Sequence, residues 1–574
     1  MTDAVSILNG VSPAWFLIAA GLLAWASPRS DLRKALMMLG PIGALAAWFA
    51  TGETGVYGVL DLGPVVLETF RPDGLSRVWA LVFILISFIN AVYALHERNR
   101  MTDGAALIYA GSAVGAVFAG DMLTLFFFWE LTALASAPLI FAVGTPEAQR
   151  AGLRYLAIQV LSGVALLGGA TIWASQTGSW AFDALGTDNW AGIIMLLAFG
   201  LKAGFPLLHM WLPDAYPKAT GVGSVVLSAF TTKLAIYALA RGFAGEEVLI
   251  TIGLVMAVFP IVFAMTSNDL RQTLAYALIN QLGFMVVAVG VGGDLGLNGA
   301  AANAFVGVIY MALMFMVLGA VLLRTGTVKA TALGGLYKSM PITTLFAIIG
   351  ALSVMGAPLF SGFVAKTLIL SAAHHEHHDL AYTLLVYASA GVMEISALKV
   401  VWFAFFGKDR GLRVKEAPQT MHLGMALAAF LCVFLGVNYP ALYGILPFDM
   451  DYKPYKLASV YGQSQLLLGT MLVFGLALYF KLFPLKSDRT ILDADWLYRR
   501  FGDASARWGA AMGQLLFDAI GKVLGAFISF VRLRLFNLFS PAGALSKEFP
   551  SGMMALWTAI MLAGVVLVAY FSPV

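Results

Sequence analysis

Apolar runs of roughly 20 residues recur along almost the whole 574-residue chain and constrain its fold more than any other feature. One of them is VWALVFILISFINAVYAL, which begins at Val78. About 20 apolar residues in a helix cross the hydrocarbon core of a bilayer. Every backbone polar group must be satisfied inside lipid, and alternating barrel segments are absent from the sequence. An all-α polytopic membrane bundle is therefore the predicted fold.

The composition excludes several function classes. Only 11% of the residues are charged, whereas soluble domains carry about 25%. The single cysteine, Cys432, excludes a disulfide framework and an iron–sulfur cluster within this chain. Any electron transfer would belong to partner subunits, and no cofactor is expected. No basic patch with interleaved aromatic residues indicates nucleic-acid binding, and the first apolar stretch is expected to be a retained span rather than a signal peptide.

Hydropathy predicts about sixteen spans, and alternate loops between them are basic. By the positive-inside rule the basic loops face the cytoplasm and both termini face outward, as in a multi-pass protein of the bacterial inner membrane. The acidic loops, including the one with His374 to Asp379, then lie outside. The predicted division is N-terminal helices (1–103), two inverted repeats (104–243 and 244–406), C-terminal core and extra helices (407–486), an amphipathic segment (487–550) and a final span (551–574).

The segment 487–550 mixes apolar and charged positions at helical spacing. This pattern predicts a cytoplasmic amphipathic helix at the membrane surface or against a partner. A soluble domain is the alternative, but the segment is short and apolar for a core of its own.

Two predicted spans are interrupted in the middle by glycine and proline. The sequences are LKAGFPLLHMWLP, from Leu201, and SVMGAPLFSGFVAKTL, from Ser353. Glycine and proline disrupt the helical hydrogen-bond ladder. Broken helices in corresponding positions of two halves indicate inverted repeats and an ion path. The two breaks are five spans apart, so the two repeats have opposite topology.

Four ionisable residues lie near the middle of predicted spans: Glu130, Lys202, Lys233 and Lys366. A charge at the bilayer centre costs about 2.5 to 3.5 kcal/mol on insertion scales, so such residues face a bundle interior and pair or titrate. Burial and a neighbouring carboxylate act on a lysine in opposite directions, so an acid–lysine pair exchanges protons when a nearby charge moves. A lone buried lysine can instead serve only helix packing, but the four together favour a proton relay.

Further polar residues are secondary relay candidates. Glu394 and Lys399 belong to the thirteenth span, five residues apart and hence on different faces of an α-helix. Tyr276, Asn280 and Tyr310 could hold water or simply join helices. His209 follows the first break and could hand a proton to the cytoplasmic side, or only pack there.

The tract HHEHHD contains ligand types that bind zinc-like ions. Its members are His374, His375, His377 and His378, with Glu376 and Asp379 between and after them. The spacing is crowded for a tetrahedral site, so a flexible outer loop without metal is the preferred interpretation.

The sequences LKAGFPLLHMWLPDAYPKATGVGSVVLSAFTTKLAIYALAR and SNDLRQTLAYALINQLGFM resemble the antiporter-like subunits of respiratory complex I and of Mrp-type cation/proton antiporters. The resemblance extends over roughly residues 70–415 and includes FFWELTALASAPLI and GAPLFSGFVAK. Within this superfamily ISALKVVWFAFFGKDRG is most similar to the branch of D-type Mrp subunits.

The resemblance implies a core of about fourteen helices with two inverted five-helix repeats and extra C-terminal helices. It also implies a cross-helix ion pair between Glu130 and Lys202, with Lys233 as the central relay residue and Lys366 as the terminal one. The expected partners are other membrane subunits of the complex, the lipid bilayer, protons and a monovalent cation.

One departure from the family pattern concerns the eleventh span. Gly307 and Met311 stand where many relatives have a histidine and a lysine. Water, Tyr310 or Glu394 would have to bridge this gap.

Three functions remain open from the sequence. The first is a proton-translocating subunit of a sodium/proton antiporter, a secondary transporter rather than an enzyme. The second is the same module in a complex I or membrane-bound hydrogenase type redox complex, where it would be part of a translocase. The third is a scaffold subunit, or a membrane subunit of an inorganic-carbon uptake system. The identity of the partner subunits separates them.

Overall fold

A computed structural model describes residues 10–52, 54–63, 65–482, 495–539 and 551–571. The chain divides into two compact units, Met1–Ile491 and Leu492–Val574. The described regular structure is helical apart from one β-hairpin. The predicted all-α polytopic class is thus confirmed, with the hairpin as an addition.

The first unit contains most of the helices. Its first half comprises α1 (Pro13–Ala26), α2 (Ser30–Ala50), β1 (Tyr57–Asp61), β2 (Val66–Phe70), α3 (Gly74–Tyr93), α4 (Arg100–Val117), α5 (Met122–Ser136), α6 (Pro138–Phe141), α7 (Pro146–Thr177), α8 (Trp190–Ala203), α9 (Trp211–Ala215), α10 (Gly221–Ala229) and α11 (Thr231–Gly242). Its second half comprises α12 (Glu247–Thr266), α13 (Leu270–Val291), α14 (Gly293–Thr325), α15 (Pro341–Met355), α16 (Ser361–His375), α17 (Asp379–Val392), α18 (Gln419–Val437), α19 (Tyr439–Tyr443) and α20 (Leu457–Tyr479). Helix α17 continues as π-helix through Met393–Lys399, and a second π segment covers Trp402–Phe406.

The hairpin β1–β2 is antiparallel, with Tyr57 opposite Phe70. It packs against the start of α5, where the Glu68 main-chain N–H donates to Asp121 Oδ2 (2.8 Å). Asp121 also caps α5 by accepting from the Leu123 and Thr124 main-chain N–H groups, which satisfies two of the donors that a helix start leaves unpaired. The hairpin therefore covers the N-terminal end of this helix.

Among the described residues, twelve helices are long and apolar enough to cross a membrane, and four shorter apolar helices accompany them. The most central are the α10–α11 pair and α13. In Gly221–Gly242, every residue of the most apolar stretch is buried. In Leu270–Val291, 94% of the residues in the corresponding stretch are buried. Helix α20, by contrast, is 17% buried over the same length and lies at the periphery. Lys233 on α11 and the polar residues of α13 therefore lie in the interior.

Both predicted helix breaks are present and have the same backbone turn. Helix α8 ends before Gly204 (φ 79°), and Leu207 three residues later has φ 69°. Helix α15 ends before Gly356 (φ 75°), and Leu359 three residues later has φ 74°. A left-handed conformation at glycine costs little, whereas at leucine it is uncommon. The shared turn is what related repeat units would produce, and the repeat boundaries stay a prediction.

A third interruption was not predicted. Helices α10 and α11 meet at Phe230, whose ψ of −67° departs from that of a regular helix. No glycine or proline marks this position in the sequence. The irregular turn leaves the carbonyl groups of the last turn of α10 without a regular helical partner.

The second unit contains α21 (Asp495–Phe539) and α22 (Ser551–Phe571). The described part of the predicted amphipathic segment, residues 495–539, is thus one continuous helix, while 487–494 and 540–550 lie outside the described residues. Its stretch Arg507–Asn537 is long and apolar enough to be a candidate span. A position in the membrane is therefore as compatible with its composition as the predicted position on the membrane surface.

Candidate functional site

The first buried lysine, Lys202, lies in the last turn of α8 just before the break. Its side chain is completely buried. The ammonium donates to the Trp129 carbonyl oxygen (2.6 Å) and to Thr132 Oγ1 (3.0 Å) on α5. It also lies 4.3 Å from the centre of the Trp129 ring, within the range of cation–π attraction. Lys202 therefore joins α8 to α5 through neutral groups.

Glu130 is the neighbour of Trp129 on α5, and its Oε1 atom is buried. Oε1 accepts no hydrogen bond from the described residues, and the ion pair with Lys202 predicted from the resemblance is not a direct contact in the structure. The reason is that the Lys202 ammonium is engaged by Trp129 and Thr132 instead. Glu130 nevertheless directly follows Trp129, the residue whose carbonyl oxygen receives the Lys202 ammonium.

The Glu130 carboxyl group lies against α7. A Cβ atom at Gly163 would lie 1.5 Å from Glu130 Oε1, so only glycine leaves this space open. One turn earlier on α7, Gln159 is completely buried, and neither polar atom of its side chain has a partner among the described residues. A buried amide and a buried carboxyl oxygen of this kind form a polar site that suits ordered water.

Lys233 is completely buried in the first turn of α11. Its Nζ donates to the Ser228 carbonyl oxygen (2.7 Å), across the interruption between α10 and α11. Its own carbonyl oxygen accepts from Trp79 Nε1 (3.0 Å). The unpredicted third interruption thus supplies the oxygen that receives the central lysine.

A row of hydroxyl groups continues from this interruption. Tyr109 on α4 makes a 2.5 Å hydrogen bond with Thr231 Oγ1 and accepts from the Thr231 main-chain N–H (2.9 Å). Tyr155 on α7 hydrogen-bonds Ser136 (2.8 Å) on α5. All four side chains are buried. Hydroxyl groups both donate and accept, which is a requirement for passing protons along a row.

A second polar network joins α13 and α14. Gln281 Nε2 donates to Asn280 Oδ1 (2.9 Å), and the Tyr310 hydroxyl donates to Gln281 Oε1 (2.9 Å). Asn303 Oδ1 lies 3.4 Å from the same hydroxyl. Asn280 also donates to the Ala257 carbonyl oxygen on α12 (2.5 Å). These amides join α12, α13 and α14 and place a row of polar groups between α13 and α14.

This network lies at the eleventh span, where Gly307 and Met311 stand in place of the histidine and lysine of many relatives. Met311 is completely buried. Gly307, one turn before Met311, lies beside Tyr310: a Cβ atom added there would be in ordinary van der Waals contact with the Tyr310 hydroxyl oxygen, at 3.4 Å. Tyr310, one of the three candidates to bridge the gap, is therefore joined to α13 at the expected place.

Lys366 on α16 is buried beside the second break. Its Nζ donates to the Val354 carbonyl oxygen (2.7 Å) in the last turn of α15. A Cβ atom at Gly356 would lie 3.1 Å from Lys366 Cδ and 3.4 Å from Gln463 Nε2. Gln463, on α20, donates to the Met355 carbonyl oxygen (3.1 Å). The lysine and the amide thus approach the broken helix end together.

The two ionisable residues of the π segment have different environments. Glu394 is half-buried and lines a cavity between α16, α17 and α20. Lys399 is buried and donates to three carbonyl oxygens at the end of α12: Ala264 (2.6 Å), Met265 (3.1 Å) and Ser267 (2.6 Å). The α-helical spacing assumed for this pair is wrong, because the segment is a π-helix. Lys399 has the contacts of a helix cap.

His209 is buried in the turn after α8, with its ring centre 4.5 Å from that of Phe259. Asp214 lies nearby on α9 and bonds Arg154 (2.7 Å) and Lys218 (2.5 Å). Burial raises the pKa of Asp214, but these cations outweigh burial, so the pKa lies below its ordinary value. The turn after the first break therefore carries an ionised carboxylate. Tyr276, the remaining candidate, stacks on Phe263 with ring centres 5.7 Å apart.

The histidine tract does not form a convergent ligand set. Among the described residues no group of three or more histidine, cysteine or acidic side chains is placed to hold a metal ion. His374 Nδ1 lies 3.7 Å from Asp379, His375 Nδ1 lies 3.2 Å from Glu376, and these side chains are exposed.

Sequence reasoning missed several buried polar residues of the site. Gln159, Tyr109, Tyr155, Asn303 and Gln463 were not singled out as candidates. Gln159 and Asn303 were detectable, because an amide in an apolar span is a costly exception that demands a partner. Gln463 was not, because its role depends on the position of α20 against a break more than 100 residues earlier in the chain.

Comparison with known proteins identifies the family to which this chain belongs. Residues 119–391 match the family model described as NADH:quinone oxidoreductase/Mrp antiporter, TM. An uncharacterized protein of Mycobacterium tuberculosis is 32% identical over 448 residues, which span 69% of each chain. The chain belongs to the NADH:quinone oxidoreductase/Mrp antiporter family.

Relatives within the family include antiporter subunits. A D-type Na(+)/H(+) antiporter subunit of Alkalihalophilus pseudofirmus is 30% identical over 318 residues, or 52% of this chain and 64% of the relative. Among solved structures, the Mrp complex from Dietzia sp. contains a chain with a TM-score of 0.70 and 22% identity, over 82% of this chain and 99% of that one. An archaeal membrane-bound sulfane sulfur reductase contains one with a TM-score of 0.69 and 21% identity, over 97% and 99%. These two structural similarities show that this chain has the same fold as those two chains.

Proposed function

We propose that this chain is the proton-translocating subunit of a multisubunit sodium/proton antiporter in a bacterial inner membrane. It acts as part of a secondary transporter and performs no covalent chemistry. Its partners are other membrane subunits of that complex, which take up the monovalent cation.

The observation that carries the proposal is the environment of the three lysines. Lys202, Lys233 and Lys366 have no exposed surface or almost none, and each ammonium donates to a main-chain carbonyl oxygen rather than to a carboxylate. A carbonyl oxygen accepts a hydrogen bond from an ammonium or from a neutral amine alike. Each site therefore tolerates both protonation states of its lysine, as a relay requires.

The arrangement supports a direction of transfer along the membrane plane. A proton arriving at Glu130 reduces its attraction for Lys202, and the change in charge at Lys202 alters the field at Lys233. The buried tyrosine and threonine hydroxyls continue the row at the α10–α11 interruption. Gln281 and Tyr310 lead on between α13 and α14, and Lys366 exchanges the proton at the second break.

Family membership adds support, because curated relatives bear the name of Na(+)/H(+) antiporter subunits. Their named activity is the one that a relay of this kind serves. Coupling to the cation would then arise in the assembled complex.

The driving force of the intact complex tests this proposal. An affinity-tagged chain is purified with its partners, the partners are identified, and proton movement is measured in everted vesicles. We expect a sodium gradient alone to move protons, and Glu130→Gln to reduce that movement at least about tenfold in an assembled complex. Proton movement that needs an electron donor, with quinone- or hydrogen-reacting partners, would contradict the antiporter assignment.

A second function is favoured by one specific observation. The likeness to the sulfane sulfur reductase chain extends over 97% of this chain, whereas the likeness to the Mrp chain extends over 82%. A proton-pumping subunit of a redox complex is therefore the alternative, and the same purification identifies it by its electron-carrying partners.

A further inference from the structure

A cavity of about 740 Å³ lies between α16, α17 with its π segment, and α20. No step of the proposed relay uses it. Its lining includes Thr367, Ser389, Glu394, Gln463 and Thr470. The concentration of polar groups is unusual for a gap between membrane helices, where apolar surface is the rule.

Two groups in the cavity favour the presence of water. Glu394 is half-buried, and its carboxyl group accepts no hydrogen bond from the described residues. Ser389 is 2% exposed, and its Oγ has no hydrogen-bond partner among the described residues. Water satisfies such groups where a polar space is wide enough. Glu394 also belongs to a π segment, a distortion that is frequent at functional sites.

One end of the cavity faces the outer side of the membrane. His374, at the end of α16, and Lys456, just before α20, are both part of the lining. Their loops belong to the outward set by the positive-inside rule, because the basic loops lie at the opposite helix ends. Tyr452 hydrogen-bonds the Thr367 carbonyl oxygen (3.1 Å) and anchors this rim to α16.

The other end of the cavity reaches the second helix break. Gln463 lines the cavity and donates to the Met355 carbonyl oxygen at the end of α15. Lys366 packs against the adjacent Gly356. Thr367, the residue after Lys366, also lines the cavity. The cavity therefore extends from the outer rim to the residue that follows the terminal lysine of the relay, at the break against which that lysine packs.

The charges in the lining favour a proton over a metal cation. The titratable groups that face the cavity are Glu394, His374, Lys456 and the tyrosines Tyr382, Tyr387 and Tyr452. Glu394 is the one carboxylate among the lining residues and is balanced by Lys456. A cavity without net negative charge holds a sodium ion weakly, whereas one carboxylate in contact with water suffices to accept and release a proton.

We propose that this cavity is an aqueous vestibule open to the outer side, in which Glu394 exchanges protons between Lys366 and outer water. The inference rests on the proposed function, because it assigns the outer exit of that relay. It makes Glu394 a further residue in direct contact with the transported proton.

Access of water to the cavity can be tested by an experiment that does not measure transport. Gly462 lines the cavity, and no atom lies within 4 Å of a Cβ added there. We expect Gly462→Cys to react with a positively charged, membrane-impermeant methanethiosulfonate in right-side-out vesicles and not in everted ones. Leu468→Cys is the matched control, because this α20 residue is 69% exposed and does not line the cavity. The wild-type chain, with Cys432 buried, gives the background.

Labelling of Gly462→Cys no greater than that of Leu468→Cys, or labelling from the cytoplasmic side, would overturn the vestibule even if the relay is correct. The role of Glu394 needs a second comparison in the assembled complex. We expect Glu394→Gln to slow proton movement at least about tenfold and Glu394→Asp to retain most of it, while Glu376→Gln in the exposed outer loop has no effect. A wild-type rate in Glu394→Gln removes the assignment and leaves the test of Lys233 unaffected.

Discussion

At the scale of single residues, the position of Glu130 depends on a glycine. Gly163 on α7 leaves the space that the Glu130 carboxyl group occupies. The carboxyl group is then held near Lys202 without touching it, because the lysine donates to Trp129 and Thr132. A direct ion pair would hold the proton acceptor and the ammonium together, whereas separated charges respond to a third charge nearby.

A methyl group at Gly163 tests this arrangement. Gly163→Ala must displace the Glu130 carboxyl group, because the new Cβ would lie 1.5 Å from Oε1. We expect proton movement to fall at least about tenfold, as for Glu130→Gln. Gly168→Ala on the same helix is the control, since nothing lies within 4 Å of its Cβ. Equal rates in the two variants, measured on equal amounts of assembled complex, would show that the carboxyl position is unimportant.

The sequence identified which ionisable residues are buried, but not what each one contacts. A mid-span lysine is conspicuous because burial of a charge is costly, so Lys202, Lys233 and Lys366 were predictable. Their acceptors are carbonyl oxygens at helix irregularities and on neighbouring helices. Those acceptors depend on tertiary packing, which leaves no mark in the local sequence.

At the scale of helices, two buried cations donate to backbone carbonyl oxygens at the ends of chain segments. Lys399 donates to three carbonyl oxygens at the end of α12. Arg271 Nη2 donates to the carbonyl oxygens of Tyr216, Ala219 and Thr220, in the turn before α10. Helix ends leave such carbonyls unpaired, and a nearby cation satisfies them. Three carbonyl acceptors occupy all three N–H donors of the Lys399 ammonium, whereas each relay lysine donates to a single carbonyl oxygen, and this difference distinguishes Lys399 from them.

Removal of the Lys399 charge separates the two roles. Lys399→Met keeps the length of the side chain but deletes three hydrogen bonds at the end of α12. We expect the free energy of unfolding to fall by about 1–3 kcal/mol, since buried carbonyl oxygens lose their donor. Thermal melting in detergent measures this loss. The proton flux per assembled complex should stay near that of the wild type, and a flux as low as that of Lys366→Met would return Lys399 to the relay.

At the scale of the whole first unit, each of the three buried lysines, Lys202, Lys233 and Lys366, lies at a helix interruption. The predicted breaks after α8 and α15 were recognisable from glycine and proline, and they share one turn geometry. The interruption at Phe230 carries no such signal, and it arises where Tyr109 and Lys233 satisfy the freed backbone groups. The β-hairpin was missed for a similar reason, because its two short strands stand between far stronger helical signals.

The row changes its chemistry between the two halves. Charged residues predominate from Glu130 to Lys233, whereas amides and a tyrosine occupy the interval before Lys366. Neutral groups pass a proton only together with water or through their own hydroxyl. In the proposed relay, Lys233 is therefore the last lysine before the neutral interval, and transfer to the second half would depend on it.

The central claim is that protons pass through Lys233, and proton flux through the assembled complex tests it most directly. Lys233→Ala is compared with the wild type in everted vesicles under a sodium gradient, after assembly is verified by co-purification of the partners. Lys338→Ala is the control, since this lysine is exposed and bonds Asp409. The account predicts that Lys233→Ala lowers the flux about a hundredfold and that Lys338→Ala leaves it unchanged. A wild-type flux in fully assembled Lys233→Ala complexes would contradict it.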